Sequence, residues 1–419
     1  MRKSLLAAVT LSTLVMLATT SAASTERVIY SFTGDPDGGS PQAPLLADAN
    51  GNLYGTASTG GANNSNCGAQ GCGVVFMLTP PKNRTGAWTE TVIYQFQGGT
   101  DLSTPMAGLT FDKAGNLYGS TFYGGTNQFC CGGIFELSPP KAPGNAWTET
   151  ILYDFLELDD DGNYPLGRLV FDSAGNLYGT CVEGGPGNFL GTLFQLVPPP
   201  QGGTMWTENL LYLFQGFGDG EFPQGTLLMD NLGNLYGTTG EGENSGGIFF
   251  EVSPPKSGNQ WTFTPLYTFN GAIEGYQQAD LTLLAGRLFG TAGAGGANNA
   301  GTVFSLKPPV PGGQWKEATI YAFAGGGDGN APTRTLVADK SGNLYGATTR
   351  GGTNDDGIVF RLSPQPGGTW TKTTLHKFSG GNDGAQPASG LIFGKFGALY
   401  GVTVAGGVSG NGTVYGVLP

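Results

Sequence analysis

Glu157, Asp159 and Asp161 stand at alternate positions ahead of Gly162. Carboxylates with that spacing before a glycine turn can converge on a hard cation, and calcium is the one cofactor the pattern suggests. The later acidic ligand of a helix–loop–helix calcium site has no counterpart, because Arg168 stands where it would fall. Asp35 and Asp37 before Gly38 are a weaker echo, and further Asp-Gly pairs occur at Asp219-Gly220, Asp328-Gly329 and Asp383-Gly384. If the loops that carry them share one face, Asp37, Asp219, Asp328 and Asp383 would form a ring of carboxylates able to bind a cation, a glycan or a protein. Asp-Gly also makes tight turns, the carboxylate accepting backbone N–H bonds and the glycine taking positive φ, so a turn reading stands beside the site reading.

Other chemistries find little support. The chain has one histidine, His376, at a place where other segments have Tyr94, Tyr153, Tyr212, Tyr267 and Tyr321. It is expected to be an aromatic substitute in a strand rather than a catalytic base, so no catalytic residue is assigned. One histidine also excludes a multi-histidine metal centre within one chain. No phosphate-binding G-x-x-x-x-G-K-[ST] loop is present. Paired carboxylates could serve glycoside hydrolysis, but spacing along the chain does not give their separation in space. Five cysteines occur, at 67, 72, 130, 131 and 181. Cys67 and Cys72 bracket a short loop, which makes a local disulfide plausible, and an odd count leaves one thiol over.

The elements that would position these residues come from a repeat. Gly51-Asn52-Leu53-Tyr54-Gly55-Thr56 returns at Gly115, Gly175, Gly233 and Gly342, with degenerate copies at Gly286 and Gly397. The copies are 53 to 64 residues apart, and there are seven. Each unit has four strand-length apolar segments, exemplified by residues 108–112, 116–120, 133–137 and 148–155. Asp112-Lys113-Ala114-Gly115 supplies a turn, Pro139-Pro140 ends a strand, and no helical period appears beyond the N-terminal segment. Leu117 and Tyr118 are adjacent, so they face opposite ways, and both are large and apolar. Such strands need cover on both faces, and Gly119 is expected to let the neighbouring unit approach.

Four antiparallel strands repeated seven times predict an all-β, seven-bladed β-propeller over residues 24–419. Glu26 to Phe32 reads as a fourth strand and Gly412 to Val417 as a third, so the N-terminal strand should complete the last blade. All six tryptophans, Trp88, Trp147, Trp206, Trp261, Trp315 and Trp370, precede a fourth strand. Packing at blade edges is their expected role, with sugar stacking by one or two as the sharper reading.

The Tyr-Ser-Phe-like, Asp-Gly-x-x-Pro, Gly-Asn-Leu-Tyr-Gly-Thr and Gly-Thr-Val-Phe segments resemble the GloVer (Gloeo–Verruco) tandem-repeat family of exported bacterial proteins. The resemblance covers essentially all of the chain after residue 23, with departures at Arg287, Phe289 and Ala398. It says nearly nothing about chemistry. Members with a C-terminal anchor differ from this chain, which stops at Leu418-Pro419, so the resemblance implies release.

Composition agrees with export. Arg2 and Lys3 precede an apolar stretch from Leu5 to Leu17, then Ser21-Ala22-Ala23, so residues 1–23 read as a signal peptide. The net charge is −12, and lysine and arginine are scattered. That balance disfavours nucleic acid and anionic membranes. The expected protein is a secreted or periplasmic monomer, not inserted in a membrane after cleavage. It would be a binding or scaffolding module without an evident catalytic centre. The alternative is an extracellular propeller lyase or hydrolase.

Overall fold

The computed structural model describes residues 26–419 apart from 62–64, 84–85, 127–129, 143–144, 157–160, 186–189, 201–204, 217, 243–244, 272, 276–279 and 311–312. The predicted signal segment therefore lies outside the described residues. Among those described, no helix is long and apolar enough to cross a membrane.

Each Gly-Asn-Leu-Tyr-Gly copy becomes the second strand of an antiparallel sheet. Blade 1 runs Leu46–Ala47, Leu53–Ala57, Val74–Thr79 and Thr89–Gln95, in spatial order from inside to outside. Asp112 shows why the first turn forms where it does. Its carbonyl accepts the N–H of Gly115 at 3.3 Å, and its carboxylate accepts the N–H groups of Ala114 and Asn116 at 2.8 Å each. Gly115 takes φ 90°, which a side chain would resist.

Seven such sheets form the propeller, and the last closes the ring. Glu26–Ser31 pairs with Thr413–Val417, which pairs with Leu399–Ala405. The first strand of most blades is split, a feature the sequence reading did not anticipate. In blade 3, Gly162–Pro165 and Val170–Phe171 both pair with Leu177–Gly184, and residues 166–169 bend away between them. That bend lines the central channel.

The core is seven clusters, each drawn from two neighbouring blades. Tyr54, Val75 and Ile93 of blade 1 join Leu109, Leu117 and Phe135 of blade 2, for example. One aromatic contact recurs at every seam. The Phe at the end of each outer strand, or just after it, meets the third-strand ring of the next blade edge-on. Phe96 meets Phe135 at 5.2 Å, Phe32 meets Phe76 at 5.0 Å, and Phe378 meets Tyr415 at 4.9 Å. Each contact contributes about 0.5–1.5 kcal/mol beyond the area it buries. The tryptophans reach the other way. Trp206 of blade 3 meets Tyr118 of blade 2 at 6.5 Å, and Trp370 of blade 6 meets Phe289 of blade 5 at 5.8 Å.

One expectation about glycine is corrected. A Cβ on Gly119 would lie 2.5 Å from Phe135 Cζ and 3.0 Å from Leu109 Cδ2, both in its own blade. The glycine makes room for the large ring on the adjacent strand, and that ring then bridges to the preceding blade.

Candidate functional site: the central channel

The Asp-Gly loops resolve into a repeated latch. Tyr30, at the end of an outer strand, donates its hydroxyl to Asp37 Oδ2 at 2.6 Å. Tyr94 does the same to Asp101, Tyr212 to Asp219, Tyr267 to Glu274 and Tyr321 to Asp328. Tyr153 and Asp161 are the longest of the set at 3.4 Å. His376 takes the tyrosine's place opposite Asp383 at 3.3 Å, as an aromatic substitute would. Burial lowers the imidazole pKa, against the pull of Asp383. In each latch the acid also accepts a backbone N–H four or five residues before it, such as Gln215 N at 2.9 Å from Asp219.

These bonds fix where the sequence-predicted residues sit. Asp37, Asp219, Asp328 and Asp383 are tied to outermost strands, and none of them lines the channel cavities. Each of the four is instead held by the turn of its own inter-blade loop. A loop between blades starts at the outer strand, and its acid is spent there on the turn. Of the calcium candidates, Glu157 and Asp159 lie outside the described residues. Asp161 is buried and accepts the N–H groups of Leu156 at 2.7 Å and Gly162 at 2.8 Å. Among the described residues no three His, Cys, Asp or Glu side chains cluster as metal ligands.

A second acid faces most latches from the next blade. Glu90 is pushed up to about 7 by burial and then by Asp37. Glu149 reaches about 7 beside Asp101, Glu317 about 7 beside Glu274, and Glu26 about 7 beside Asp383. Two seams depart from this rule. Phe263 stacks on Tyr212 at 4.4 Å, and Lys372 forms an ion pair with Asp328 at 2.6 Å. The carboxyls with strongly raised pKa therefore belong to the blade seams.

The channel itself is built from the bends in the first strands. Pro44, Gly108, Arg168, Thr226, Asp280, Thr335 and Gly390 all line one cavity of about 140 Å³, one residue from each blade. Each precedes a buried leucine, from Leu45 through Leu391, that anchors the bend in the core. A second cavity of about 450 Å³ opens beside it, and Arg334 lines both. Arg334 donates Nη2–H to Gln224 Oε1 at 2.7 Å. Burial lowers its pKa, and Asp280 opposes that, yet among the described residues no carboxylate lies within ion-pair distance of it. Asp280 is engaged elsewhere, accepting from Thr226 N and Thr335 Oγ1 at 2.5 Å each. Arg168 lies along Gly108 in the same channel. Glu241 lines the wider cavity and is paired across the sheet with Glu221, whose pKa is raised by burial, then by Glu241 and Asp219.

Sequence reading missed this site, although one signal was present. At the place of Arg334 the other blades carry Ala43, Ala107, Gly167, Gly225, Ala279 and Ser389. A lone arginine among small residues is the departure that marks it.

The Gloeobacter/Verrucomicrobia repeat family matches residues 64–304 and 281–419. The chain belongs to this family. In Gloeobacter/Verrucomicrobia repeat terms, the motif encodes the turn, the inner pair of strands and the seam aromatics, while the channel residues vary from copy to copy. None of the curated proteins matches the sequence. Among solved structures, a fungal alcohol oxidase of the AA5 family in complex with copper is similar at 16% identity and TM-score 0.57, covering 94% of this chain and 76% of that one. An oxidoreductase of Thermus thermophilus described as a glucose dehydrogenase is similar at 13% identity and TM-score 0.43, covering 94% of this chain and all of that one. At such identities the first likeness bears on fold alone.

Proposed function

We propose that this repeat propeller is an exported binding protein that takes the acid group of a small ligand into its central channel, with Arg334 as the anchor. The observation that carries the reading is Arg334 itself. A half-buried guanidinium bonded to Gln224, with no carboxylate at ion-pair distance among the described residues, keeps N–H groups to offer a ligand, and it borders cavities large enough to admit an acid group. Arg168 adds a second positive charge in the same channel. Thr335, Ser389 and Gln42 supply neutral polar groups around them. A planar guanidinium matches a carboxylate in two parallel bonds.

Calorimetric titration of the protein with succinate, phosphate and galacturonate tests the reading. Binding of an acid to the wild type that disappears in Arg334→Gln, with an unchanged far-ultraviolet spectrum, supports it. A wild type that binds none of them overturns it.

Glu221 and Glu241 favour a second reading, in which the mouth also performs acid–base chemistry on the bound acid. A lyase acting on a uronide leaves an unsaturated, ultraviolet-absorbing product. Its appearance, and its loss in Glu241→Gln, would establish that reading over simple binding.

A further inference from the structure

The sevenfold repeat allows every residue at the channel mouth to be compared with its counterparts in other blades. The wider cavity is walled by Gly293 and Ala294, at the end of a second strand, and by Ala331, at the bend of a first strand. The same places in blades 2 and 3 hold Phe122, Tyr123 and Tyr164. One arc of the mouth is therefore open and small-walled, and another is aromatic.

The aromatic arc is ordered by its own contacts. The rings of Phe122 and Tyr164 stack at 4.4 Å with 13° between their planes. Tyr123 stands edge-on to both, at 4.8 Å and 5.8 Å, and is 38% exposed. Tyr164 holds φ 60°, a left-handed conformation that bulky residues avoid. The bend recurs at Ser40, Thr104, Phe222, Ala331 and Gln386, so the fold imposes it and the ring is carried on a fixed support. The N–H of Tyr164 is bonded to Cys131 O at 3.0 Å, and Cys131 is tied to Cys130 by a disulfide. Elsewhere the mouth is polar, with Glu241, Thr333 and Thr349 along the wider cavity.

The geometry points to a sugar-stacking shelf formed by Tyr123, Tyr164 and Phe122, beside the channel that takes the acid, so that the ligand is a uronic-acid glycan. This assignment rests on the reading of Arg334 as an acid anchor. Flat, partly exposed aromatic rings suit the apolar C–H face of a pyranose, while the polar wall suits its hydroxyls and the guanidinium its carboxylate. A simple aliphatic acid would use the channel and leave the shelf empty.

The test compares two probes, trigalacturonate and succinate, by calorimetry on the full propeller. Tyr123→Ala removes an exposed ring, and Tyr164→Ala introduces the residue that Ala331 already places at the same bend. Each is expected to weaken trigalacturonate roughly tenfold, the size of one stacking contact, and to leave succinate unchanged. Tyr123→Phe should keep trigalacturonate binding. If trigalacturonate affinity survives Tyr123→Ala unchanged while Arg334→Gln abolishes binding of both probes, the shelf is overturned and the channel reading stands. If neither probe binds the wild type, both fall.

Discussion

Tyr212 donates its hydroxyl to Asp219 Oδ2 at 2.7 Å, tying the outermost strand of blade 3 to the loop that leads into blade 4. The bond is one of seven made at the same place in every blade. Removing the donor with Tyr212→Phe leaves a buried carboxylate less well satisfied and should cost about 1–2 kcal/mol. Asp219→Ala also strips the acceptor from Gln215 N–H and should cost at least as much. Urea unfolding midpoints read both. A Tyr212→Phe midpoint equal to wild type would show that the latch contributes nothing.

The paired seam acids make stability depend on pH in a defined direction. Glu26, Glu90, Glu149 and Glu317 titrate near 4.5 in the unfolded chain and are held up to about 7 in the fold. Their contribution is complete below about 4.5 and is lost as pH rises through about 7. Asp172, Asp230 and Asp339 shift the other way: burial would raise them, but bonds from Asn and backbone N–H groups outweigh it. Their contribution is present above the normal carboxylate range and is lost on acidification. The melting temperature should therefore peak in mild acid and fall towards pH 8, and Glu90→Gln with Glu149→Gln should flatten the alkaline limb. A melting temperature at pH 8 no lower than at pH 5.5 would contradict this.

Lys372 replaces the seam glutamate with a cation. Its Nζ lies 2.6 Å from Asp328 Oδ1 and 5.7 Å from the ring centroids of Tyr321 and Phe323. Burial would raise the Asp328 pKa, but bonds from Lys372, Ala324 N–H and Tyr321 hold it below the usual range. Lys372→Met should cost about 1–2 kcal/mol by leaving that half-buried charge without its partner. Double-mutant analysis with Asp328→Asn measures the coupling, and an additive result would sink the claim.

The cysteines give a chemical check on the fold. Cys67 pairs with Cys72 and Cys130 with Cys131, leaving Cys181 free, fully buried and with its thiol pKa raised by that burial. Ellman's reagent should find no reactive thiol in the native protein and one after denaturation without reductant. Three thiols on denaturation would mean that one pair is open.

Much of the architecture was legible because it is local and repeated. Asp112, Asn116 and Gly115 satisfy one another within five residues, so the turn can be read from the letters, and seven turns at even spacing specify seven sheets. The pairing of Glu26–Ser31 with Thr413–Val417 was legible for the same reason, since the last unit lacked a fourth strand and the N-terminal segment matched one. The Cys67–Cys72 bridge likewise spans only five residues.

What the letters could not say was which way a side chain faces when several roles suit it. Asp37, Asp219, Asp328 and Asp383 suit a ligand role or a turn role, and only the bonds from the outer strands show each carboxylate engaged in its turn. The pairing of Glu90 with Asp37 joins residues from different loops across a seam, and no local pattern announces it. Arg334 and Arg168 line one cavity only because seven bends converge on one axis. The sequence by itself determined the repeat, the turns, the strand order and the closing strand, since those rest on contacts between near neighbours. Only the tertiary structure decided which acids are buried and where the positive charge collects, because burial and field are set by residues distant in the chain and brought together by closure of the ring.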